Sequence, residues 1–310
     1  MNDQPPANPD RPREYVGLSV RDALYQAARV LADSGSDSPR LDAEVLLAHV
    51  LGTSRTDLYV RWAEPLAEEP AQRFAALVRR RAAHEPVAYL IGHREFYDLD
   101  LYVDRRVLIP RPETEHMLEE ALAWARGAAG NRAILARGTL RVVDVGTGSG
   151  ALAVALARHL ENAHVWAVDL SAEALEVAEI NVRRYNLQDR VTLVQGDLLA
   201  PLAGPLDIIT ANLPYVPQED LSSLAPDVAA YEPRSALDGG KGGLDVILRL
   251  LEQAPERLAY PGLLLLEIDH RQMDTVLNVA RIRLPDARAS VVRDYAGLAR
   301  VICIERPAMI

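Results

Sequence analysis

An α/β fold, a mostly parallel sheet preceded by a small helical domain, is predicted by three observations. After Pro112 the chain alternates strand-like and helix-like segments, the signature of βαβ units. One strand candidate, ending Val142-Val143-Asp144-Val145, runs into the turn Gly146-Thr147-Gly148-Ser149-Gly150 and then an apolar helix from Ala151 to Leu160. Residues 17–85 instead carry helical periodicity with repeated cap signals. At roughly 150 residues per domain, 310 residues suffice for about two domains without disulfide or metal staples.

The opening MNDQPPANPDRP holds four prolines and no apolar run, so residues 1–16 read as a disordered tail that is neither signal peptide nor anchor. In the helical domain, Ser19 followed by Asp22 approximates a capping box. Ser38-Pro39 places a cap before a first-turn proline, with Gly52 past the helix end. Leu41, Val45, Leu46 and Val50 are expected on the inner face of that helix. A further helix is expected from Pro65 to His84, ending in Arg79-Arg80-Arg81. Those arginines suit the negative end of the helix dipole as a solvated cap, or alternatively a basic contact for a partner. Residues 86–110, rich in aromatic and β-branched side chains, read as a β-hairpin linker.

Residues 111–310 form the larger domain. Its strand candidates are Leu140 to Val145, His164 to Asp169, Val191 to Gln195, Leu206 to Ala211 and Gly262 to Ile268. Arg288 to Arg293 and Leu298 to Glu305 are separated only by Asp294-Tyr295-Ala296-Gly297, a hairpin that adds an antiparallel edge. With 34 basic against 44 acidic residues the net charge is −10, which disfavours stable nucleic-acid binding driven by phosphate neutralisation. No run of 18 apolar residues exists, so no membrane span is expected and the cytoplasm is the default location. Cys303, the single cysteine, sits in an apolar strand pattern, and the seven histidines show no metal-ligand spacing.

The chemistry concentrates at strand ends. Glycines in the 146–150 turn let backbone approach a ligand, and the free N–H groups of the following helix offer hydrogen bonds. Asp169, 25 residues after Asp144, ends the next strand, where a carboxylate can accept both hydroxyls of a ribose. Gly146, Gly148 and Ala151 also satisfy a dinucleotide pattern. Asp144, however, stands two residues before the first glycine, where it would repel a pyrophosphate and attract a cationic amino-acid tail. S-adenosyl-L-methionine is therefore favoured over NAD. Asp197 ends the third strand, where it reads as a partner for an adenine amine with Leu198 covering the ring, or alternatively as a loop aspartate beside a core leucine. Asn212-Leu213-Pro214-Tyr215 ends the fourth strand at the ligand-binding edge of the sheet, although alone it reads equally well as a turn.

Taken together, these segments resemble the protein-glutamine N5-methyltransferases, specifically the branch that modifies peptide chain release factors. The resemblance also rests on Leu108-Ile109-Pro110-Arg111-Pro112-Glu113-Thr114-Glu115, on Tyr231-Glu232-Pro233-Arg234-Ser235-Ala236-Leu237, and on Asp238-Gly239-Gly240 leading to Gly243-Leu244. It implies a Rossmann-like class I S-adenosylmethionine-dependent methyltransferase domain over residues 111–310 and a substrate-binding role for residues 17–85. The implied substrate is the glutamine of the Gly-Gly-Gln loop of class-I release factors. The implied cofactor contacts are Asp144, Gly146, Thr147, Gly148, Ser149, Gly150, Asp169, Asp197, Leu198 and Asn212. The implied catalytic group is Asn212, Leu213, Pro214 and Tyr215, in which the Asn212 side chain and the Leu213 carbonyl hold the substrate amide while Tyr215 packs on its flat face.

Two positions depart from the family pattern: Leu213 replaces a usual proline, and Asp269 follows Glu267-Ile268 where a glycine is common. Residues 111–114 suit a cofactor-pocket wall or a simple cap, and Tyr231 to Arg234 with the Gly239-to-Gly243 loop suit a substrate-side lid. The rival substrates are a ribosomal-protein glutamine and, less well matched to the charge, an adenine N6 amine in nucleic acid. A non-enzymatic rival is an adenosyl-binding scaffold without turnover.

Overall fold

The computed structural model describes residues 14–308. The tail expected over residues 1–16 therefore lies, for residues 1–13, outside the described residues. Tyr15 is no tail residue: it is 1% exposed and meets Phe74 edge-on at 5.0 Å between ring centroids. The chain divides into two compact units, one ending at Gly92 and one starting at His93.

The first unit is all helical: α1 (Val20–Asp33), α2 (Pro39–Leu51), α3 (Arg55–Val60), α4 (Glu68–Ala82) and α5 (Val87–Ile91). Ser19 caps α1 by accepting from the Asp22 amide at 3.1 Å. Gly52 ends α2 at φ 61°, a left-handed conformation that glycine adopts without strain. Phe74, Leu31, Leu46, Leu47 and Leu58 form the centre of its core.

Two expectations for this unit are corrected and one is extended. Leu41 is exposed, because Asp42 occupies the inner face of α2 in its place. The Asp42 carboxylate accepts from Ser36 and Ser38 hydroxyls at 2.8 and 2.9 Å and from the Arg81 guanidinium at 2.7 Å. The arginine run stands in the last turn of α4 with Arg79 and Arg80 exposed, as a solvated cap requires, but it does more than cap. Arg81 neutralises buried Asp42, and Arg80 grips buried Glu85 through two bonds of 2.7 Å. The segment expected as a hairpin linker is split, since Val87–Ile91 is helical and belongs to this core through Leu90.

The second unit begins with a short antiparallel hairpin, β1 (His93–Phe96) and β2 (Leu99–Tyr102), followed by α6 (Glu115–Arg126) and α7 (Ala128–Arg137). Alternation then sets in: β3 (Leu140–Val145), α8 (Ala151–His159), β4 (Ala163–Asp169), α9 (Ala172–Arg184), β5 (Val191–Gln195), β6 (Leu206–Ala211). The short α10 (Pro226–Tyr231) and then α11 (Asp245–Arg257) precede β7 (Leu258–Glu267), and α12 (Met273–Arg283) precedes β8 (Arg288–Arg293) and β9 (Ala299–Arg306). The seven-stranded sheet has the order β5-β4-β3-β6-β7-β9-β8. Its first five strands are parallel, while β9 runs antiparallel to β7 and β8.

Both faces of the sheet's centre are covered, so β3, β6 and β7 read as largely apolar runs, whereas the edge strands β5 and β8 are partly exposed. In β7, Leu263 and Leu265 pack with α6 and α8 on one face, while Leu264 and Leu266 pack with α11 and α12 on the other. Cys303 lies buried in β9, where burial pushes its thiol up to about 12. No described helix is long and apolar enough to cross a membrane.

Asn181 of α9 ties the hairpin to the glycine turn. Fully buried, it donates to the carbonyls of Tyr102 and Ser149 at 2.9 and 2.8 Å and accepts from the Tyr102 amide at 2.7 Å. Asn181→Leu strands the buried Ser149 carbonyl and two half-buried groups of Tyr102, and is expected to cost about 3 kcal/mol in urea unfolding. Breaking the buried Asp42–Arg81 pair with Asp42→Ala is expected to cost about 3 kcal/mol in the same measurement. Arg73→Ala, which removes an exposed pair with Glu69, is expected to leave the unfolding midpoint unchanged.

Candidate active site

Strand order reverses at β3: β4 and β5 build outward on one side of it, and β6 starts the other side. At such a reversal the loops leaving two neighbouring strands part and open a crevice at their carboxyl ends. Val145 lies beside Ala211 in register, so the glycine turn after β3 and the Asn212–Tyr215 segment after β6 leave the sheet together. Gly146 (φ 72°) would bring a Cβ to 3.1 Å from the Leu213 side chain, and Gly150 (φ 80°) would bring one to 3.2 Å from Ala178. Backbone conformation and space thus both select glycine there.

The crevice is a cavity of about 410 Å³. Its wall includes Asp144, Gly146, Thr147, Gly148, Ser149, Asp169, Asp197, Leu198, Asn212, Leu213 and Pro214. Gly150 and Tyr215 stand outside that wall: Gly150 packs behind the turn, and Tyr215 turns its hydroxyl onto Glu267 at 3.2 Å. Asp144 is buried and accepts from Thr147 and Thr210 hydroxyls at 2.6 and 3.0 Å. Burial pushes its carboxyl up to about 6. Asp169 accepts backbone amides of Gly148 and Ser171, each at 2.9 Å, and burial raises it as well. Dipoles rather than arginines hold both carboxylates, which leaves their negative charge for a cationic or hydroxylated ligand. Asp197 is partly exposed and ion-paired with Arg249, a wall residue that the sequence reading missed.

The Asn212 side chain is fixed from outside its own loop. Its Nδ2 donates to Thr114 Oγ1 at 3.0 Å, and that hydroxyl donates to Glu267 Oε2 at 2.6 Å. Thr114 lines the cavity, whereas Arg111 turns away to pair with buried Glu232 at 2.6 Å. Residues 111–114 therefore serve as wall and brace together.

Asp269 has a structural account. It caps a 3-10 turn, accepting from the Arg271 amide at 2.9 Å, while its own amide donates to Gln272 Oε1 at 3.0 Å. Gln272, another residue unremarked in the sequence, is buried and donates to the carbonyls of Tyr215, Gly242 and Gly243 at 2.8–3.0 Å. The Gly239–Gly243 loop expected as a lid is thereby bound to the Tyr215 segment, with Val216 and Asp238 bridged in parallel. Among the described residues no group of three or more His, Cys, Asp or Glu side chains is arranged to hold a metal.

Known proteins similar to this chain place it in a family. The PrmC N-terminal domain family matches residues 22–92, and a methyltransferase domain family matches residues 142–231. A release factor glutamine methyltransferase of Moorella thermoacetica is 44% identical over 91% of this chain and 97% of its own length. Its counterpart from Rhodopirellula baltica is 40% identical over 88% of this chain and 91% of its own. Among solved structures, the hMettl16 catalytic domain, crystallised with an RNA hairpin, superposes with a TM-score of 0.53 at 16% identity, covering 74% of this chain and 81% of its own. That likeness concerns the fold alone. Full-length similarity to the curated relatives goes further: the chain belongs to the release factor glutamine methyltransferase family.

Proposed function

We propose that this chain transfers a methyl group from S-adenosyl-L-methionine to the side-chain nitrogen of the glutamine in the Gly-Gly-Gln motif of class-I peptide chain release factors. Family membership supports the protein substrate and the reaction. The observation that carries the reading is the placement of Asn212 at the mouth of the glycine turn, on the wall of one cavity with Asp144 and Asp169. Residues 17–85 are the proposed docking part for the release factor.

A cavity of about 410 Å³ with Asp144, Asp169 and Asp197 on its wall supports such a donor. Asp169 would take the ribose hydroxyls, the Gly146–Gly150 turn and Asp144 the cationic methionine end, and Asp197 with Leu198 the adenine. The donor brings an electrophilic sulfonium methyl. A carboxamide nitrogen is a poor nucleophile because its lone pair is delocalised into the carbonyl, so this chain's task is orientation. The Asn212 carboxamide oxygen and the Leu213 carbonyl would accept the two amide N–H bonds and aim the nitrogen at the donor. Both acceptors also gain strength as positive charge develops on that nitrogen. No base is needed beforehand, because the proton leaves after the nitrogen has become cationic.

Mass spectrometry of a release factor incubated with enzyme and donor is expected to place one added methyl on the Gly-Gly-Gln peptide. Transfer to a ribosomal protein or to nucleic acid in its place would overturn the assignment. Asp169→Ala is expected to weaken donor binding about 10- to 100-fold in calorimetry, the loss of a charge-assisted bond of roughly 1.5–3 kcal/mol. Asn212→Ala is expected to leave donor affinity nearly intact while kcat falls on the order of a hundredfold. Donor affinity is also expected to decline as pH drops through about 6, because Asp144 then takes up a proton and loses the charge that holds the cationic end. Affinity that stays constant from pH 8 to pH 5 would remove Asp144 from the donor site.

A further inference from the structure

We infer that Glu267, which touches neither donor nor substrate in the proposed reaction, is a positioning residue that sets which end of the Asn212 carboxamide faces the cavity. The inference rests on the reading of Asn212 as the acceptor of a substrate N–H, and it concerns how that acceptor is made available.

An asparagine side chain presents either an oxygen acceptor or an NH2 donor, and the two orientations have nearly the same shape. Only the oxygen-forward orientation binds an amide nitrogen through its hydrogens. The choice is made by a chain of proton directions. Glu267 ends β7, beside β6 whose end carries Asn212, and is 2% exposed. A carboxylate has no proton to give, so Thr114 Oγ1 at 2.6 Å must donate to it. A hydroxyl has one proton, so toward Asn212 the same oxygen can only accept. The Asn212 atom facing it at 3.0 Å is therefore the NH2 group, and Oδ1 is left for the ligand. The other Glu267 oxygen accepts from the Tyr215 hydroxyl, which holds the carboxylate in place from the opposite side.

The charged groups around Glu267 are Glu113 and Arg300, of opposite sign. Burial pushes its carboxyl up to about 6, so at neutral pH it is the acceptor-only carboxylate that the chain requires. Keeping a carboxylate in so buried a position carries a solvation cost that an apolar side chain would avoid. A directional task at the site accounts for its presence better than stability does.

The experiment is a mutant cycle with release factor as substrate and donor at saturation. Glu267→Leu and Thr114→Val are each expected to lower kcat about 10- to 100-fold, with donor affinity by calorimetry within about twofold of the parent. Thr114→Ser, which keeps the hydroxyl, is expected to retain most of the activity. Added to Asn212→Ala, Glu267→Leu is expected to cost less than about threefold more, since its effect passes through a side chain already removed. Losses that multiply in the double variant, or full activity in both Glu267→Leu and Thr114→Val, would overturn the inference. If Asn212→Ala itself retained full activity, the reading beneath it would fail instead. Thr114→Val removes the relay and one donor to the acid, and Thr114→Ser restores both, so a folding defect confined to Glu267→Leu leaves the test decisive.

Discussion

The parallel pairing of β3 with β6 is the constraint on which the site depends. It sets Asp144 beside Thr210 and Val145 beside Ala211, so two segments separated by more than sixty residues of sequence leave the sheet as neighbours. The Thr210 hydroxyl donates to Asp144, which means that the second strand also helps to carry the charge at the end of the first. A register slip of one residue would turn Thr210 to the other face of the sheet and leave that carboxylate short of a donor. The same slip would separate Asn212 from the glycine turn. Fold and site are therefore specified by the same hydrogen-bond ladder.

Around that ladder, buried polar groups do the positioning. Asp144 and Glu267 sit at strand ends, each with a pKa raised to about 6 by burial and each held by hydroxyl donors rather than by an arginine. Such groups are costly unless every bond is made, and their cost falls as the surrounding dipoles become better aligned. Neutral donors also add no positive charge beside Asp144 or Glu267. Buried carboxylates in the helical unit are treated differently: Asp42, Glu44 and Glu85 are all closed by arginines. The same closure by arginine holds for Asp207 and Glu232 of the second unit, so Asp144 and Glu267 are set apart by their hydroxyl donors.

The parts of this arrangement that were legible in the sequence are local ones. Strand β3, the glycine turn and helix α8 are contiguous, and the strands Val191–Gln195 and Leu206–Ala211 carry enough apolar pattern to be bounded correctly. Gly52 and Ser19 announced helix ends through conformational freedom and side-chain capping. What failed or was missed involves partners far apart in the chain. Leu41 was expected inside because Asp42 gave no sign of its bond to Arg81, 39 residues away. Thr114 and Glu267 are separated by 153 residues, and Asn181 and Tyr102 by 79. Polar residues carry no periodic signal of burial, and only the fold reveals which of them are enclosed and which donors they meet.

Leu213 shows how such distant packing can substitute for local stiffness. Where the family resemblance implies proline, a ring would restrict the backbone between Asn212 and Pro214 by covalent geometry. Leucine lacks that restraint, yet Pro214 still biases its backbone toward the extended region. Its side chain is 4% exposed and lies in the core formed with Val143, Val145 and Val168. It also covers Gly146, close enough that a Cβ there would stand 3.1 Å from its methyl. The substrate-side segment is thus anchored by burial of an apolar side chain against the donor-side turn. An enlarged residue at position 146 would press directly on the segment that carries Asn212, so the two halves of the site cannot vary independently.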